Sequence, residues 1–165
     1  MKRPKIGDIV EFKTAKGLAY ALYTHRHAAP PRFGDLIRVF TGFREHRPEP
    51  ITAIPSDDIL FTTFFPLGAA VNRNIVEIAG HVDVPDALKS FPIFRNGTPN
   101  PKTKRVDVWW LWDGAKEWRA GTLTPEQALY PLLGVWNDTL LIERIEKGWR
   151  AENDPVWGVA PVSQG

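Results

Sequence analysis

Alternating apolar and polar positions predict three short strands in the first forty residues. Residues 8–14 and 18–25 each alternate with a period of two, and Lys16-Gly17 between them is typical of a hairpin turn. A third alternating run covers residues 35–41. Three such strands close together predict a curled antiparallel sheet or an SH3-like barrel.

The middle of the chain mixes prolines with short apolar runs. Residues 59–65 and 75–81 predict two further strands, residues 66–72 a single helical turn, and residues 85–91 a short helix. The segment 96–104 contains Asn-Gly and two prolines, which are typical of a mobile loop.

Tryptophan is concentrated in one place, because four of the seven tryptophans lie within residues 109–118. Asp113-Gly114 or Gly114-Ala115 would form the turn of a hairpin here. Both registers place Trp118 on the face of Trp109 and Leu111.

The opposite face of this hairpin would carry Trp110 and Trp112 beside Val108. A strand with bulky apolar side chains on both faces is usually covered on both sides. We therefore expect Trp110 and Trp112 to be core residues and the hairpin to join two halves of the core. A sugar-stacking platform is the alternative interpretation of the same tryptophans.

A capped helix is predicted near the C-terminal end of the chain, and it would cover one face of the hairpin. Asn137 or Asp138 is a suitable N-cap, the helix would run to about Lys147, and Gly148 would terminate it in the left-handed conformation. Further upstream, Thr124 with Gln127 three residues later predicts a capping box.

These elements predict an α+β, β-rich fold with a C-terminal helix. We expect a single domain over residues 1–165, with a β region at 5–95, the tryptophan hairpin and C-terminal helices at 106–149, and a loose tail at 150–165.

Composition narrows the function classes. The chain has 165 residues and no cysteine, which excludes disulfides and cysteine metal sites. Residues 1–50 hold ten Lys and Arg against five Asp and Glu, whereas residues 51–165 hold eleven against fourteen. The first residues are not followed by an apolar run, and no stretch is long enough to span a bilayer, so we expect a cytoplasmic protein without a membrane partner.

Catalytic constellations are not apparent in the sequence. His25-Arg26-His27 could place two imidazoles on one face, but no carboxylate follows at metal-ligand spacing. The three serines lie outside any nucleophile elbow, and glycine-rich phosphate loops are missing. We therefore expect a protein that is not an enzyme and has no metal or cofactor.

Nucleic-acid binding is an alternative, because the first fifty residues are basic and also carry Tyr20, Tyr23 and Phe43. Such rings can stack on bases. They can equally fill the interior of a barrel, since they lie in strands with apolar partners.

Five blocks of the chain resemble the immunity protein 26 family of bacterial polymorphic toxin systems. They are Lys5-Ile6-Gly7-Asp8-Ile9-Val10-Glu11-Phe12, Gly17-Leu18-Ala19-Tyr20-Ala21, Asp35-Leu36-Ile37-Arg38-Val39-Phe40, Ile75-Val76-Glu77-Ile78-Ala79-Gly80 and Phe91-Pro92-Ile93-Phe94. The resemblance covers roughly residues 5–95 and rests on hydrophobic and glycine positions. It implies a bacterial protein that binds a cognate toxin and neutralises it by direct protein–protein contact.

Two regions are candidates for that contact. An acidic toxin would meet the basic early region, where Tyr20, Tyr23, His25 and Arg38 are the candidate binding residues. A basic toxin, such as one that cuts nucleic acid, would instead meet acidic residues of the later chain. The candidates there are Glu143 and Glu146, with Glu152 and Asp154 nearby.

Overall fold

The computed structural model describes residues 3–159, which form two compact units. The first unit contains residues 3–90 and 134–149, and the second contains residues 91–133 and 150–159. The fold is α+β and strand-rich, with 34% strand and 20% helix, which confirms the predicted class.

A five-stranded antiparallel sheet forms the frame of the first unit, in the order β4-β3-β2-β1-β5. The strands are β1 (Asp8–Thr14), β2 (Gly17–His27), β3 (Gly34–Phe40), β4 (Ile59–Phe64) and β5 (Glu77–His81). The sheet does not close into a barrel, so the SH3-like alternative is wrong. Its two faces are covered by other segments of the chain rather than by the sheet itself.

Helix α2 (Asp138–Lys147) covers one face, together with the short helix α1 (Leu67–Asn72). Leu141 and Ile145 of α2 pack in the same buried cluster as Val10, Phe12 and Ile37 of the sheet. The helix that was expected to cover the tryptophan hairpin therefore belongs to the core of the first unit.

The caps of α2 confirm the prediction from sequence. The Asn137 side chain accepts a hydrogen bond from the Leu140 amide at 2.8 Å. Gly148 ends the helix at φ 62°, in the left-handed region that favours glycine. The predicted capping box is also present, since Thr124 and Gln127 exchange two side-chain-to-amide hydrogen bonds.

The opposite face of the sheet carries a second buried cluster. Ile9, Leu22 and Phe40 pack there against Ile54, which is supplied by the 3₁₀ helix Ile51–Ser56. Both faces of the sheet are thus buried, which explains why its polar residues on this side need partners within the unit.

The second unit contains a three-stranded antiparallel sheet in the order β6-β7-β8. Its strands are β6 (Phe94–Asn96), β7 (Trp109–Trp112) and β8 (Glu117–Gly121). The amide of Asp113 donates to the carbonyl of Lys116 at 3.1 Å, and Gly114 lies at φ 99°. Gly114-Ala115 is therefore the turn, which is one of the two predicted registers.

Residues 150–159 are held within the second unit by two arginines. The guanidinium of Arg95 donates to the carbonyl of Trp157, and that of Arg105 donates to the carbonyl of Gly158 at 2.7 Å. The remainder of the predicted loose tail, residues 160–165, lies outside the described residues. Across residues 3–159, no helix has both the length and the apolar character needed to cross a membrane.

Candidate functional site

Tyr20 belongs to a buried charge network on β1 and β2. Its hydroxyl donates to Glu11 at 2.7 Å, and the Nε and Nη2 atoms of Arg47 bind both oxygens of the same carboxylate at 2.8 and 3.1 Å. Arg47 also bonds to Glu77 at 3.1 Å. The network satisfies a carboxylate that is only 5% exposed.

This network also shifts the protonation of its members. The guanidinium of Arg47 holds the pKa of Glu11 below its ordinary value, against the opposing effect of burial. Burial and the hydrogen bond to Glu11 raise the pKa of Tyr20. Both effects keep Glu11 ionised and Tyr20 protonated, so the pair is suited to a structural role.

His25 and Arg38 are connected through Thr24. Arg38 Nε donates to the Thr24 hydroxyl at 3.3 Å, and that hydroxyl lies 2.8 Å from Nδ1 of His25. His25 Nε2 donates to the carbonyl of Lys89 at 2.7 Å, and Arg38 Nη2 donates to the carbonyl of Ser90 at 3.1 Å. These bonds fasten residues 89–90 onto the sheet.

Burial lowers the pKa of His25, and it lowers the pKa of Arg38 to about 10. Arg38 therefore remains charged at neutral pH. The imidazole of His25 is favoured in its neutral form, with Nε2 protonated and Nδ1 accepting from Thr24. This tautomer agrees with both hydrogen bonds that the ring makes.

Tyr23 lies on the other face of the sheet, in the cluster that packs under α2. Its hydroxyl donates to Asp35 at 2.6 Å, and burial raises its pKa. Tyr20 and Tyr23 are each 3% exposed, so neither ring presents a face on which a base could stack. Phe43, the third ring of the nucleic-acid interpretation, is partly buried against the same cluster as Tyr23, and that interpretation stays a prediction.

The two helix glutamates are also engaged within the first unit. Glu143 accepts from Lys147 at 2.7 Å, and this ion pair lowers the pKa of Glu143. Glu146 accepts from the amide of Ala15 at 2.6 Å. Of the six residues predicted to bind a partner, the structure brings only His25 and Arg38 together, through Thr24, and their binding role stays a prediction.

His27, the second histidine of the candidate metal pair, packs against the rings of Phe33 and Phe64 at 5.8 and 6.4 Å. Within residues 3–159, no group of three or more potential metal ligands is brought together.

The tryptophan hairpin differs from the prediction in one respect that matters for function. Trp109 and Trp112 are buried as expected, but Trp110 is 40% exposed and Trp118 is 39% exposed. The expectation that Trp110 is a core residue is therefore wrong. Trp110 and Trp112 lie on the same face of β7. The rings of Phe91 and Phe94 pack against Trp112, with centroids 5.6 and 5.7 Å away, and so cover the end of the strand that carries Trp112.

The charged residues of β8 indicate in the sequence that the face of Trp110 is exposed. Strand pairing places Trp110 opposite Arg119 on β8 and opposite Asn96 on β6. Glu117 and Arg119 alternate with Trp118, and charged residues rarely line a covered face. The role of Asn96 was not evident, because it lies in a segment whose composition predicts a loop.

A shallow hollow of about 290 Å³ lies beside Trp110. Its lining includes a tryptophan ring, two carboxylates, an amide and a hydroxyl; the residues are Asn96, Gly97, Thr98, Asp107, Val108, Trp110 and Glu117. This lining is more polar than that of most small-ligand sites, which are mainly apolar with a few polar groups.

The outer edge of β8 is a second candidate surface on the same hairpin. The three-stranded sheet ends at β8, and within the described residues no strand pairs with its outer side. Glu117, Trp118 and Arg119 are all exposed along this edge. An exposed edge strand offers backbone donors and acceptors to an extended segment of another chain.

Comparison of the chain with models of protein families, with curated proteins and with solved structures finds no match in any of the three.

Proposed function

We propose that this protein neutralises a cognate toxin in the bacterial cytoplasm by binding it directly. The observation that carries the proposal is the exposed outer edge of β8, with Trp118 half-exposed at its centre. The resemblance of residues 5–95 to an immunity family supports the choice of a toxin as the partner.

Strand β8 has the properties of a protein-binding edge. Tryptophan and arginine are enriched among the residues that carry most of the binding energy in interfaces, and Trp118 and Arg119 are adjacent here. Glu117 and Arg119 bear opposite charges, so they discourage indiscriminate strand pairing and favour a segment with the complementary pattern.

The backbone geometry indicates which groups of β8 face outward. Asp113 and Lys116 form the hydrogen-bonded pair that closes the turn. Because hydrogen-bonded and non-hydrogen-bonded pairs alternate in an antiparallel ladder, Glu117 directs its amide away from β7. A partner strand would accept its first main-chain hydrogen bond from this amide.

The contact residues proposed from sequence then acquire a different role. Tyr20, His25 and Arg38 each bond to other residues of the first unit, and Tyr20 and Arg38 are buried while His25 is half-buried. In this proposal they maintain the fold, and the second unit supplies the contact.

The test is co-expression with the toxin encoded beside this gene, read as growth rescue and as co-purification. We expect rescue by the wild-type protein and at least a tenfold loss of affinity for Trp118→Ala, since interface tryptophans commonly contribute about 2 kcal/mol or more. Absence of both rescue and co-purification for the wild-type protein would refute the function.

A matched pair of variants tests the edge itself. Glu117→Pro removes the outward amide, whereas Glu117→Ala removes the same side chain and keeps the amide. Weaker toxin binding by the proline variant than by the alanine variant supports strand addition at β8. Equal affinity of the two variants would place the contact elsewhere.

A further inference from the structure

We propose that the hollow beside Trp110 is a saccharide-binding site that accepts a single neutral pyranose ring. The site lies on the opposite face of the sheet from Trp118, because Leu111 pairs with Trp118 whereas Trp110 pairs with Arg119. The hollow shares Glu117 with the edge proposed for the toxin, but its tryptophan and that of the edge lie on opposite faces.

Trp110 provides the platform. Its indole is 40% exposed, although its strand is the central one of the three and is paired on both sides. The backbone beneath the ring is therefore fixed, which suits a ring that must meet a ligand in one orientation. The C–H face of a pyranose is apolar and pairs with the face of an aromatic ring, while its hydroxyls project sideways.

The surrounding side chains match those hydroxyls. A sugar hydroxyl both donates and accepts hydrogen bonds, so its site needs both kinds of group. The carboxylates of Asp107 and Glu117 accept, whereas the amide of Asn96 and the hydroxyl of Thr98 can donate and accept. The four groups line one hollow with the tryptophan.

Asp107 is held in place by its own partner. The side-chain amide of Asn100 donates to one Asp107 oxygen at 2.8 Å. The side-chain oxygen of Asn100 accepts a hydrogen bond from the backbone amide of Lys102 at 2.8 Å. The backbone amide of Asn100 donates to the carbonyl of Arg105 at 2.7 Å. The carboxylate at the wall of the hollow is thus positioned before any ligand arrives, which reduces the entropic cost of binding.

Charge and size narrow the range of ligands. Asp107 and Glu117 disfavour phosphate and other anions. Arg119, opposite Trp110 in the ladder but outside the lining, offsets part of their negative charge. A volume of about 290 Å³ lies just below the usual range of ligand sites, which suits one ring rather than a larger cofactor.

The experiment is saturation-transfer NMR on the full chain with a panel of methyl glycosides of glucose, galactose, mannose and N-acetylglucosamine. In parallel, an array of immobilised oligosaccharides tests whether the site accepts the terminal sugar of a glycan as well as a free sugar. We expect binding of at least one pyranose in the millimolar range, about −4 kcal/mol, as for a small shallow site.

Trp110→Ala should abolish that binding, and Trp118→Ala should leave it unchanged. Because Trp110 is exposed, the variant is expected to keep its melting temperature, which circular dichroism would verify. No binding of any panel member at about 10 mM, unaltered binding by Trp110→Ala, or preferential binding of argininamide would each overturn the proposal. Toxin neutralisation is judged separately from this result by Trp118→Ala, because Trp118 does not line the hollow.

Discussion

Glu11 is a carboxylate placed in the middle of a strand that is buried on both faces. Three hydrogen bonds, from Tyr20 and Arg47, compensate for the water that the carboxylate loses. Arg47 is 43% exposed, so solvent weakens its attraction to Glu11. The arrangement makes Glu11 a stabilising residue only while it is ionised.

We predict that Glu11→Gln lowers the free energy of unfolding at neutral pH by about 1 kcal/mol and flattens its acid dependence. The pKa of Glu11 is lower in the folded protein than in the unfolded chain, where it is about 4.3. Its contribution is therefore complete above that pH and is lost as the pH falls through the folded value.

Urea unfolding between about pH 7 and pH 3 measures this effect. The matched control is Glu77→Gln, which removes a carboxylate that also bonds to Arg47 but is 54% exposed. We expect the control to change stability by less than about 0.5 kcal/mol. Parallel acid profiles for Glu11→Gln and the wild-type protein would contradict the assignment.

For the tryptophans of the hairpin, the sequence predicted which face each side chain lies on but not which side chains are exposed. The face shared by Trp109, Leu111 and Trp118 follows from the two-residue period, and the pairing of Leu111 with Trp118 confirms it. Exposure does not follow from periodicity, because it depends on which segment covers each face. Only the fold shows that Phe91 packs against Trp112 and that Trp110 remains 40% exposed.

At the level of elements, both ends of α2 were readable from the sequence, apart from the choice between Asn137 and Asp138 as the N-cap. Asn137 and Gly148 bound the helix as predicted, since capping is chemistry within a few residues of the chain. Its packing partner was not readable, because an apolar stripe of Leu141 and Ile145 fits any apolar face. Strand β6 was not predicted, because a strand of three residues is too short to show an alternating pattern. Its last residue, Asn96, also belongs to an Asn-Gly pair that is typical of a loop.

We predict that Gly148→Ala lowers the free energy of unfolding by about 1 kcal/mol. A Cβ at this position would meet nothing within 4 Å, so the cost comes from the left-handed backbone alone. Thermal and urea unfolding would measure it, with Gly148→Asn as the control.

Asparagine tolerates the left-handed conformation better than alanine, so Gly148→Asn should be destabilised by less. Equal losses for the two variants would mean that the helix ends differently in solution.

At the level of the whole molecule, each unit has its own buried centre. In the second unit, Trp109 stacks on the guanidinium of Arg95, 4.7 Å from the ring. Arg95 has no solvent exposure and donates to the carbonyls of Tyr130 and Trp157. Arg95 therefore connects β6 and β7 with residue 130 and with the segment 150–159, which returns to this unit.

We predict that Trp109→Ala destabilises the second unit by about 3–5 kcal/mol, as expected for truncation of a buried tryptophan. Hydrogen exchange should show lost protection in β6, β7 and β8 and smaller changes in β1–β5, because the two units have separate cores. Trp110→Ala is the exposed control and should change protection little. Equal losses across both sheets would show that the units unfold together.

The first unit is interrupted in the sequence, and this has a consequence during synthesis. Strands β1 to β5 leave the ribosome first, but Trp136, Leu141 and Ile145, which complete the cluster with Val10 and Phe12, follow only after residues 91–133. At about 5–20 residues per second, the nascent sheet waits several seconds for its cover. During that interval part of its apolar face lacks its cover, so we expect slower translation of residues 91–149 to lower the yield of folded protein.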